Sequence, residues 1–188
     1  MMRAVYLIGG SAAIIAIAIP GLIRINPRLV WNATPSAPIG LYALHHADQL
    51  HLGDLVAATP PATTAKLFAR RGYLPEHVPL IKYVAALQGQ KICRLGVHIS
   101  VDGRVVADAH LRDSKHRTLP KWQGCVQLDT HQIFLLNPSI ADSLDGRYFG
   151  TLNVNVVLGR LMPLWTEENI GQPFHWHSFN NPSPQPHP

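Results

Sequence analysis

A single lysine lies inside an apolar segment of the chain. Lys82 occurs in the run VPLIKYVAAL, residues 78–87, which holds no other charged side chain. With an ordinary pKa of about 10.4, a lysine is neutral in only about one molecule in 2,500 at pH 7. Burial among apolar groups lowers that pKa by several units, and the neutral amine can then take a proton from a serine. The alternative is a lysine that points to water from an edge strand.

A candidate serine occurs in a proline-rich stretch near the start of the chain. Residues 31–46, WNATPSAPIGLYALHH, hold Thr34 and Ser36 two positions apart, with a proline on each side of the serine. Prolines and a glycine at this density forbid a helix and interrupt a central strand. The stretch is therefore either a plain connector or a rigid loop that displays a side chain.

A polar turn late in the chain brings further functional groups together. In NPSIADSLDGRYFGTL, residues 137–152, Ser143, Asp145 and Arg147 follow one another closely. Alone, this pattern is typical of a surface turn with a local ion pair. None of the histidines falls in a pattern that marks a general base. No cysteine–histidine spacing indicates zinc, so we expect neither a metal nor a cofactor.

Short apolar or alternating runs predict the elements that position these groups. Four runs are predicted to be strands, at residues 53–59, 78–87, 126–137 and 152–165. Residues 98–108 predict a hairpin, because Asp102-Gly103 suits a tight turn. One helix is expected over residues 63–73, between Pro60-Pro61 and a glycine. Together these elements predict a mainly β domain over residues 31–166.

The two ends of the chain differ from this domain. Residues 4–23 carry no charge over twenty positions, enough for a helix of about 30 Å that crosses a bilayer. We expect residues 1–30 to hold one N-terminal transmembrane helix as an anchor. A cleavable signal peptide ending at Ala16-Ile17-Ala18 is the alternative. The segment 167–188 is rich in Pro, Asn, Ser and His, which predicts a mobile tail.

Composition limits the partners and the compartment. The net charge of +5 permits an anionic partner, but the basic residues are scattered, so we expect no nucleic-acid partner. The chain has two cysteines, Cys93 and Cys125. In an exported domain such a pair indicates a disulfide, and two unrelated buried thiols are the alternative.

Taken in order, these segments resemble the type I signal peptidase family, which uses a Ser–Lys dyad on a mainly β fold. Ser36 in TPSAPIG matches the family's Ser-x-Pro loop, and Lys82 in KYVAALQGQ matches the lysine of its strand motif. In the turn after that lysine, Gln88 and Gln90 replace the usual Pro and Asp. The segment DSLDGRYFG, residues 142–150, is similar to the family's late motif.

The similarity is greatest to the conjugative-transfer subgroup of that family, the TraF-type pilin-processing peptidases. The segments SAPIGLY (36–42), LPKWQGC (119–125) and PLW (163–165) look like this subgroup, which also has a cysteine pair at the same place. The resemblance covers residues 30–165. It implies a signal-peptidase-like β domain behind a membrane helix.

The resemblance implies a role for each residue that it matches. Ser36 is expected to be the nucleophile and Lys82 the base. The hydroxyl of Thr34 is expected to be an oxyanion donor beside the backbone N–H of Ser36. Three further residues are expected to support the lysine and hold the site together: Ser143, Asp145 and Arg147.

The resemblance also implies a substrate and a location. The expected substrate is a pilin precursor, and the expected partners are the inner membrane and other proteins of the conjugation apparatus. The catalytic domain is then expected in the periplasm. Some relatives join the pilin ends into a ring, and the sequence leaves hydrolysis and cyclisation open. Two alternatives remain: a general signal peptidase for exported proteins, and a non-enzymatic membrane-anchored β scaffold of a secretion apparatus.

Overall fold

The computed structural model of the chain describes residues 28–167 and 171–177, together with Ile14. Within these residues the strands are β1 (Leu29–Asn32), β2 (Gly40–His45), β3 (Leu55–Ala58), β4 (Leu80–Ala86), β5 (Lys91–Leu95), β6 (His98–Val101), β7 (Arg104–Asp108), β8 (Gly124–Gln127), β9 (Gln132–Leu136), β10 (Leu152–Asn153), β11 (Val157–Glu167) and β12 (Phe174–Trp176). The helices are α1 (Ala62–Arg71) and α2 (Gly146–Phe149), and a 3-10 turn covers Val154–Val156.

The strands form two antiparallel sheets. The larger has the order β1-β2-β11-β3-β4-β9-β10, with β12 added to β11, and the smaller has the order β7-β6-β5-β8. The long strand β11 pairs with β2, β3 and β12 along its eleven residues. The mainly β class predicted from the sequence is therefore confirmed.

Local sequence signals account for several of these elements. Asp102 and Gly103 have φ angles of 49° and 84°, as a tight hairpin turn between β6 and β7 requires. The predicted helix is confirmed as α1, which ends at Gly72 in the left-handed conformation. The run 126–137 is not one continuous strand, because a turn divides it into β8 and β9, which belong to different sheets.

The smaller sheet packs against one end of β4 and β9. The shared core consists of Ala86, Ile92, Ile99, Val101, Leu128, Phe134 and Leu136. Two side chains from the region of the smaller sheet also hydrogen-bond to the short helix α2. Trp122 donates its indole N–H to the carbonyl of Gly146 over 2.9 Å, and Arg94 donates to the carbonyl of Arg147. These two hydrogen bonds therefore fix α2 relative to the smaller sheet.

Close backbone contact at α2 depends on a glycine. A Cβ atom added to Gly146 would lie 2.5 Å from the ring of Phe134 and 2.7 Å from the carbonyl oxygen of Leu135. Both are well inside normal contact distance, so a side chain would push α2 away from β9. Gly146 therefore sets the position of the polar turn relative to the larger sheet.

The predictions for the chain ends fall mainly outside the described residues. This applies to the proposed membrane helix or signal peptide at residues 4–23, apart from Ile14, and to residues 178–188. Within the described ranges, no helix is long and apolar enough to cross a membrane. Part of the predicted tail pairs with the sheet, because β12 lies against β11 and Phe174 stacks near Trp165 with ring centroids 4.7 Å apart.

A disulfide joins the edge strand β8 to its neighbour β5. Cys93 and Cys125 are directly opposite in the register and are linked by an S–S bond across 32 positions of sequence. The bond closes a loop that includes β6, β7 and the segment that follows them. It therefore restrains most of the smaller sheet.

Removal of this disulfide should destabilise the protein. On the chain-entropy estimate, a loop of this length contributes about 3–4 kcal/mol to the free energy of unfolding. We expect Cys93→Ser/Cys125→Ser, and the reduced native chain, to lose about that amount in urea unfolding. Adding reductant to the double variant is the control. That variant has no disulfide to reduce, so its unfolding midpoint should not change. Equal unfolding midpoints for the native oxidised and reduced chains would contradict the prediction.

Candidate active site

The loop between β1 and β2 is organised by a buried asparagine that precedes it. Asn32 is 3% exposed. Its amide nitrogen donates to the carbonyls of Thr34, Ala37 and Pro38 at 2.9–3.1 Å, and its carbonyl oxygen accepts from the backbone N–H of Thr34 at 3.0 Å. Tyr42 adds a bond from its hydroxyl to the carbonyl of Pro38 over 2.6 Å. The loop is therefore a fixed turn, and β2 follows it as a regular strand.

These contacts also fix the direction of a hydroxyl hydrogen bond at Ser36. The Thr34 hydroxyl lies 2.9 Å from Oδ1 of Asn32, which can only accept, so Thr34 donates there. Thr34 has no second hydroxyl proton. In its contact with Ser36, where the two Oγ atoms are 3.2 Å apart, Ser36 must therefore donate to Thr34. In this state Thr34 is an acceptor for the serine.

Lys82 lies at the centre of the larger sheet. Its strand, β4, is paired on both sides, with β3 and β9, and the residue is 4% exposed. The alternative of an edge-strand lysine that points to water is therefore wrong. Its Nζ donates to Oγ of Ser143 over 3.0 Å. Burial lowers the Lys82 pKa to about 8; the charge of Asp145 opposes this effect and that of Arg147 adds to it.

Beneath the lysine, Asp145 and Arg147 form a fully buried ion pair. Two guanidinium nitrogens of Arg147, Nε and Nη2, donate to the two carboxylate oxygens at 2.9 and 2.8 Å. Arg147 also donates to the carbonyls of Asn137, Ile140 and Ala141 at 2.6–3.1 Å. The pair therefore holds the 137–145 turn, which carries Ser143, in one conformation.

The serine and the lysine face the same cavity. A pocket of about 490 Å³ is lined by Ser36, Lys82, Thr34 and Ser143. One wall is apolar and comes from α1 and the segment before β4; it includes Phe68, Tyr73, Leu74, Pro75, Val78 and Pro79. Among the lining residues that the structure describes, two carry charge, Lys82 and Asp142. An extended apolar peptide segment suits such a surface.

The structure brings all six predicted site residues together, but it does not pair the serine with the lysine. Among the hydrogen bonds of the described residues there is none between Ser36 Oγ and Lys82 Nζ. Ser36 bonds to Thr34 and Lys82 bonds to Ser143 instead. Proton transfer between the two therefore requires the serine hydroxyl to turn away from Thr34.

One departure from the family pattern has a structural explanation. Gln90, which replaces the usual Asp after the lysine strand, accepts from the backbone N–H of Leu87 over 3.0 Å. Its amide nitrogen donates to Asp102 over 2.9 Å. The glutamine thus closes the turn after β4, so the replacement leaves the lysine strand in place.

Sequence patterns missed two buried asparagines at this site, Asn32 and Asn137. The Asn-Ala-Thr spacing at Asn32 is typical of an Asx turn and could have been noticed. For Asn137 no local pattern was available, because its side chain bonds to residues distant in sequence. Over the described ranges, no group of three or more His, Cys, Asp or Glu side chains is placed to bind a metal.

The chain belongs to the signal peptidase family. It matches the family described as "Signal peptidase, peptidase S26" over residues 1–165, which is most of its length. The resemblance seen in the Ser36 loop, the Lys82 strand and the late motif is thereby confirmed. The protein is accordingly a member of a family of serine peptidases.

Two relatives are similar over nearly their whole length. The conjugal transfer protein TraF of Agrobacterium tumefaciens (strain 15955) is 35% identical over 174 residues, which is 87% of this chain and 96% of the relative. The plasmid transfer protein TraF of Escherichia coli is 28% identical over 169 residues, or 85% and 93% of the two chains. A signal peptidase I from Enterococcus faecalis V583 superposes with a TM-score of 0.36 and 16% identity, covering 61% of this chain and 98% of that one.

The buried lysine should destabilise the fold at neutral pH. A pKa lowered from 10.5 to about 8 corresponds to about 3 kcal/mol, so Lys82→Met should raise the free energy of unfolding at pH 7 by roughly that amount. Between pH 8 and 10.5 the unfolded chain binds the Lys82 proton and the folded chain does not. Stability of the native chain therefore rises with pH there, and the difference from Lys82→Met should disappear.

Urea unfolding across this pH range measures the effect. Lys66→Met, at an exposed position of α1, is the matched control and should change stability by less than about 0.5 kcal/mol. Equal unfolding free energies for the native chain and Lys82→Met at pH 7 would show that the amine carries no desolvation penalty.

Proposed function

We propose that the chain is a membrane-associated serine endopeptidase of a plasmid conjugation system that processes a pilin precursor by Ser–Lys acyl transfer. The observation that carries the proposal is the buried amine of Lys82, with a pKa of about 8, in the same cavity as the Ser36 hydroxyl. At pH 7 about one lysine in ten is then neutral, a few hundred times more than for a lysine in water. The site thereby has a base at physiological pH without a cofactor.

The first step forms an acyl-enzyme. The Ser36 hydroxyl turns from Thr34 toward Lys82, gives its proton to the neutral amine and attacks the peptide carbonyl through Oγ. The carbonyl oxygen becomes an oxyanion and accepts from the backbone N–H of Ser36. Protonated Lys82 then gives its proton to the leaving amine. The peptide bond breaks, and the acyl group stays on Ser36.

Thr34 changes its hydrogen-bond partner in this mechanism. In the structure its hydroxyl donates to Oδ1 of Asn32. To act as the second oxyanion donor, the hydroxyl must release Asn32 and turn to the substrate oxygen. Asn32 keeps its bond from the backbone N–H of Thr34, so the loop need not move. The Thr34 hydroxyl therefore donates to the oxyanion only when the substrate oxygen competes with Asn32 for that hydrogen bond.

The second step releases the product. Neutral Lys82 removes a proton from water, whose oxygen attacks the acyl carbon; the bond to Oγ of Ser36 then breaks, Lys82 returns the proton to Oγ, and the new carboxyl end leaves. If the amine of the pilin itself attacks in place of water, the same step yields a cyclic product. The apolar wall of the cavity favours a substrate with small or apolar residues beside the cut bond.

The cellular setting is proposed from other observations. The conjugation role is supported by the two TraF relatives, whose names are those of transfer proteins. The charge-free run at residues 4–23 supports attachment to the inner membrane. The Cys93–Cys125 disulfide supports a periplasmic catalytic domain, since disulfides persist in oxidising compartments. Other proteins of the conjugation apparatus are the proposed partners.

Pilin processing in cells tests the dyad. Ser36→Ala and Lys82→Ala should both accumulate unprocessed precursor, because each removes one partner of the proton transfer. Ser139→Ala and Lys66→Ala, at exposed positions, are the matched controls and should process normally. With purified full-length protein in detergent, the cleavage rate should rise with pH through about 8 as Lys82 loses its proton.

Each proposed feature has a result that would contradict it. Mature pilin at normal levels in either dyad variant would exclude Ser–Lys catalysis. If deleting the gene blocked maturation of exported proteins in general, a general signal peptidase would be favoured instead. Mass spectrometry of the mature pilin separates hydrolysis from cyclisation, since the cyclic product is lighter by one water.

A further inference from the structure

We propose that Asn137 is a positioning residue that sets the distance between the nucleophile loop and the lysine strand. The inference rests on the proposed function. Asn137 directly follows β9 and is 1% exposed; it is the first residue of the polar turn 137–152, but no role was predicted for it. The Asn137 side chain is uncharged, so it must act on the site through the groups to which it hydrogen-bonds.

The side chain of Asn137 joins the two halves of the dyad. Its amide nitrogen donates to the carbonyl of Ser36, 101 positions away in sequence, and to the carbonyl of Ile81 over 3.4 Å. Its carbonyl oxygen accepts from the backbone N–H of Tyr83 over 3.3 Å. The orientation of the amide is determined, because carbonyls only accept and a backbone N–H only donates.

The backbone of Asn137 also hydrogen-bonds to the buried ion pair of Asp145 and Arg147. Its N–H donates to Oδ2 of Asp145 over 3.0 Å, and its carbonyl accepts from Nη2 of Arg147 over 3.1 Å. A single residue thus contacts the Ser36 loop, both neighbours of Lys82 on β4, and the buried Asp–Arg pair. In the described part of the chain, no other side chain hydrogen-bonds to both the loop and β4.

The other side-chain hydrogen bonds of the loop cannot replace this contact. The bonds made by Asn32 and Tyr42 lie within the β1–β2 unit and fix its shape. They do not fix its distance from β4. The register of β4 and β9 pairs Tyr83 with Leu136, and its continuation puts Asn137 opposite Lys82. The amide therefore lies where it can hold Ser36 at a set distance from that lysine.

Kinetics of two substitutions test this role. Asn137→Ala removes the link, and we expect kcat on the pilin precursor to fall about 100-fold, the loss typical of a 1 Å misplacement, with KM little changed. Asn137→Asp keeps the volume and the acceptor but places a carboxyl group toward two carbonyls and the lysine. Where ionised, it should raise the pKa of Lys82 and move the acid limb of the pH–rate profile upward.

The controls separate positioning from stability. Ile99→Ala lies in the core of the smaller sheet, away from the site, and should lower the unfolding temperature while leaving kcat unchanged. Asp145 and Arg147, the charged groups that face Lys82, are the same in all these variants, so a shift of the limb in Asn137→Asp comes from the new carboxyl group.

The outcomes distinguish this inference from the function on which it rests. A large loss of kcat in Asn137→Ala, together with an upward shift of the limb in Asn137→Asp, supports the positioning role. If both Asn137 variants keep the native kcat and pH profile while Ser36→Ala is inactive, the positioning role is overturned and the dyad stands. If Ser36→Ala is active, the proposed function fails and this inference fails with it.

Discussion

Burial of one amine is the constraint on which the rest of the site depends. Lys82 lies on a central strand in an apolar cavity, and removal from water is the largest influence on its pKa. The ion pair beneath it adds opposing influences, since Asp145 raises that pKa and Arg147 lowers it. Two charges of opposite sign can therefore support the turn while burial remains the largest influence on the lysine pKa. The fold bears the free-energy cost of this burial through its two packed sheets and the disulfide.

Hydrogen bonds then determine where the reactive groups lie before a substrate arrives. Ser36 donates a hydrogen bond to Thr34, Thr34 donates one to Oδ1 of Asn32, and Lys82 donates one to Ser143. Each reactive atom thus has a hydrogen-bond partner within the site. Catalysis by the proposed mechanism needs only side-chain rotations at these bonds. Buried polar side chains hold the backbone around these groups in place. Once removed from water, such side chains have few alternative hydrogen-bond partners, so the backbone stays fixed while the reactive side chains rotate.

Much of the site was predictable because its signals are local. A lone lysine in an apolar run, an Asp-Gly hairpin turn and the close spacing of Ser143, Asp145 and Arg147 can each be read within about ten residues. Strand β2 was hidden by the prolines before it, which made the whole stretch look irregular. Asn137 was not predictable, since its partners lie up to 101 positions away and only the folded sheet brings them together. The direction of the Ser36 hydroxyl bond likewise depends on distances that no sequence pattern contains.

Direct titration of Lys82 tests whether its amine is neutral often enough near pH 7 to act as the base. The chain has five lysines, so ¹³C labelling at the lysine Cε gives a small set of NMR signals, and Lys82→Met assigns the one of interest. In the full-length protein we expect this signal to titrate near pH 8, well below the ordinary lysine value of 10.5. If the Lys82 signal titrates near 10.5 instead, Lys82 is a charged side chain at neutral pH. That result would contradict a Ser–Lys centre at this site.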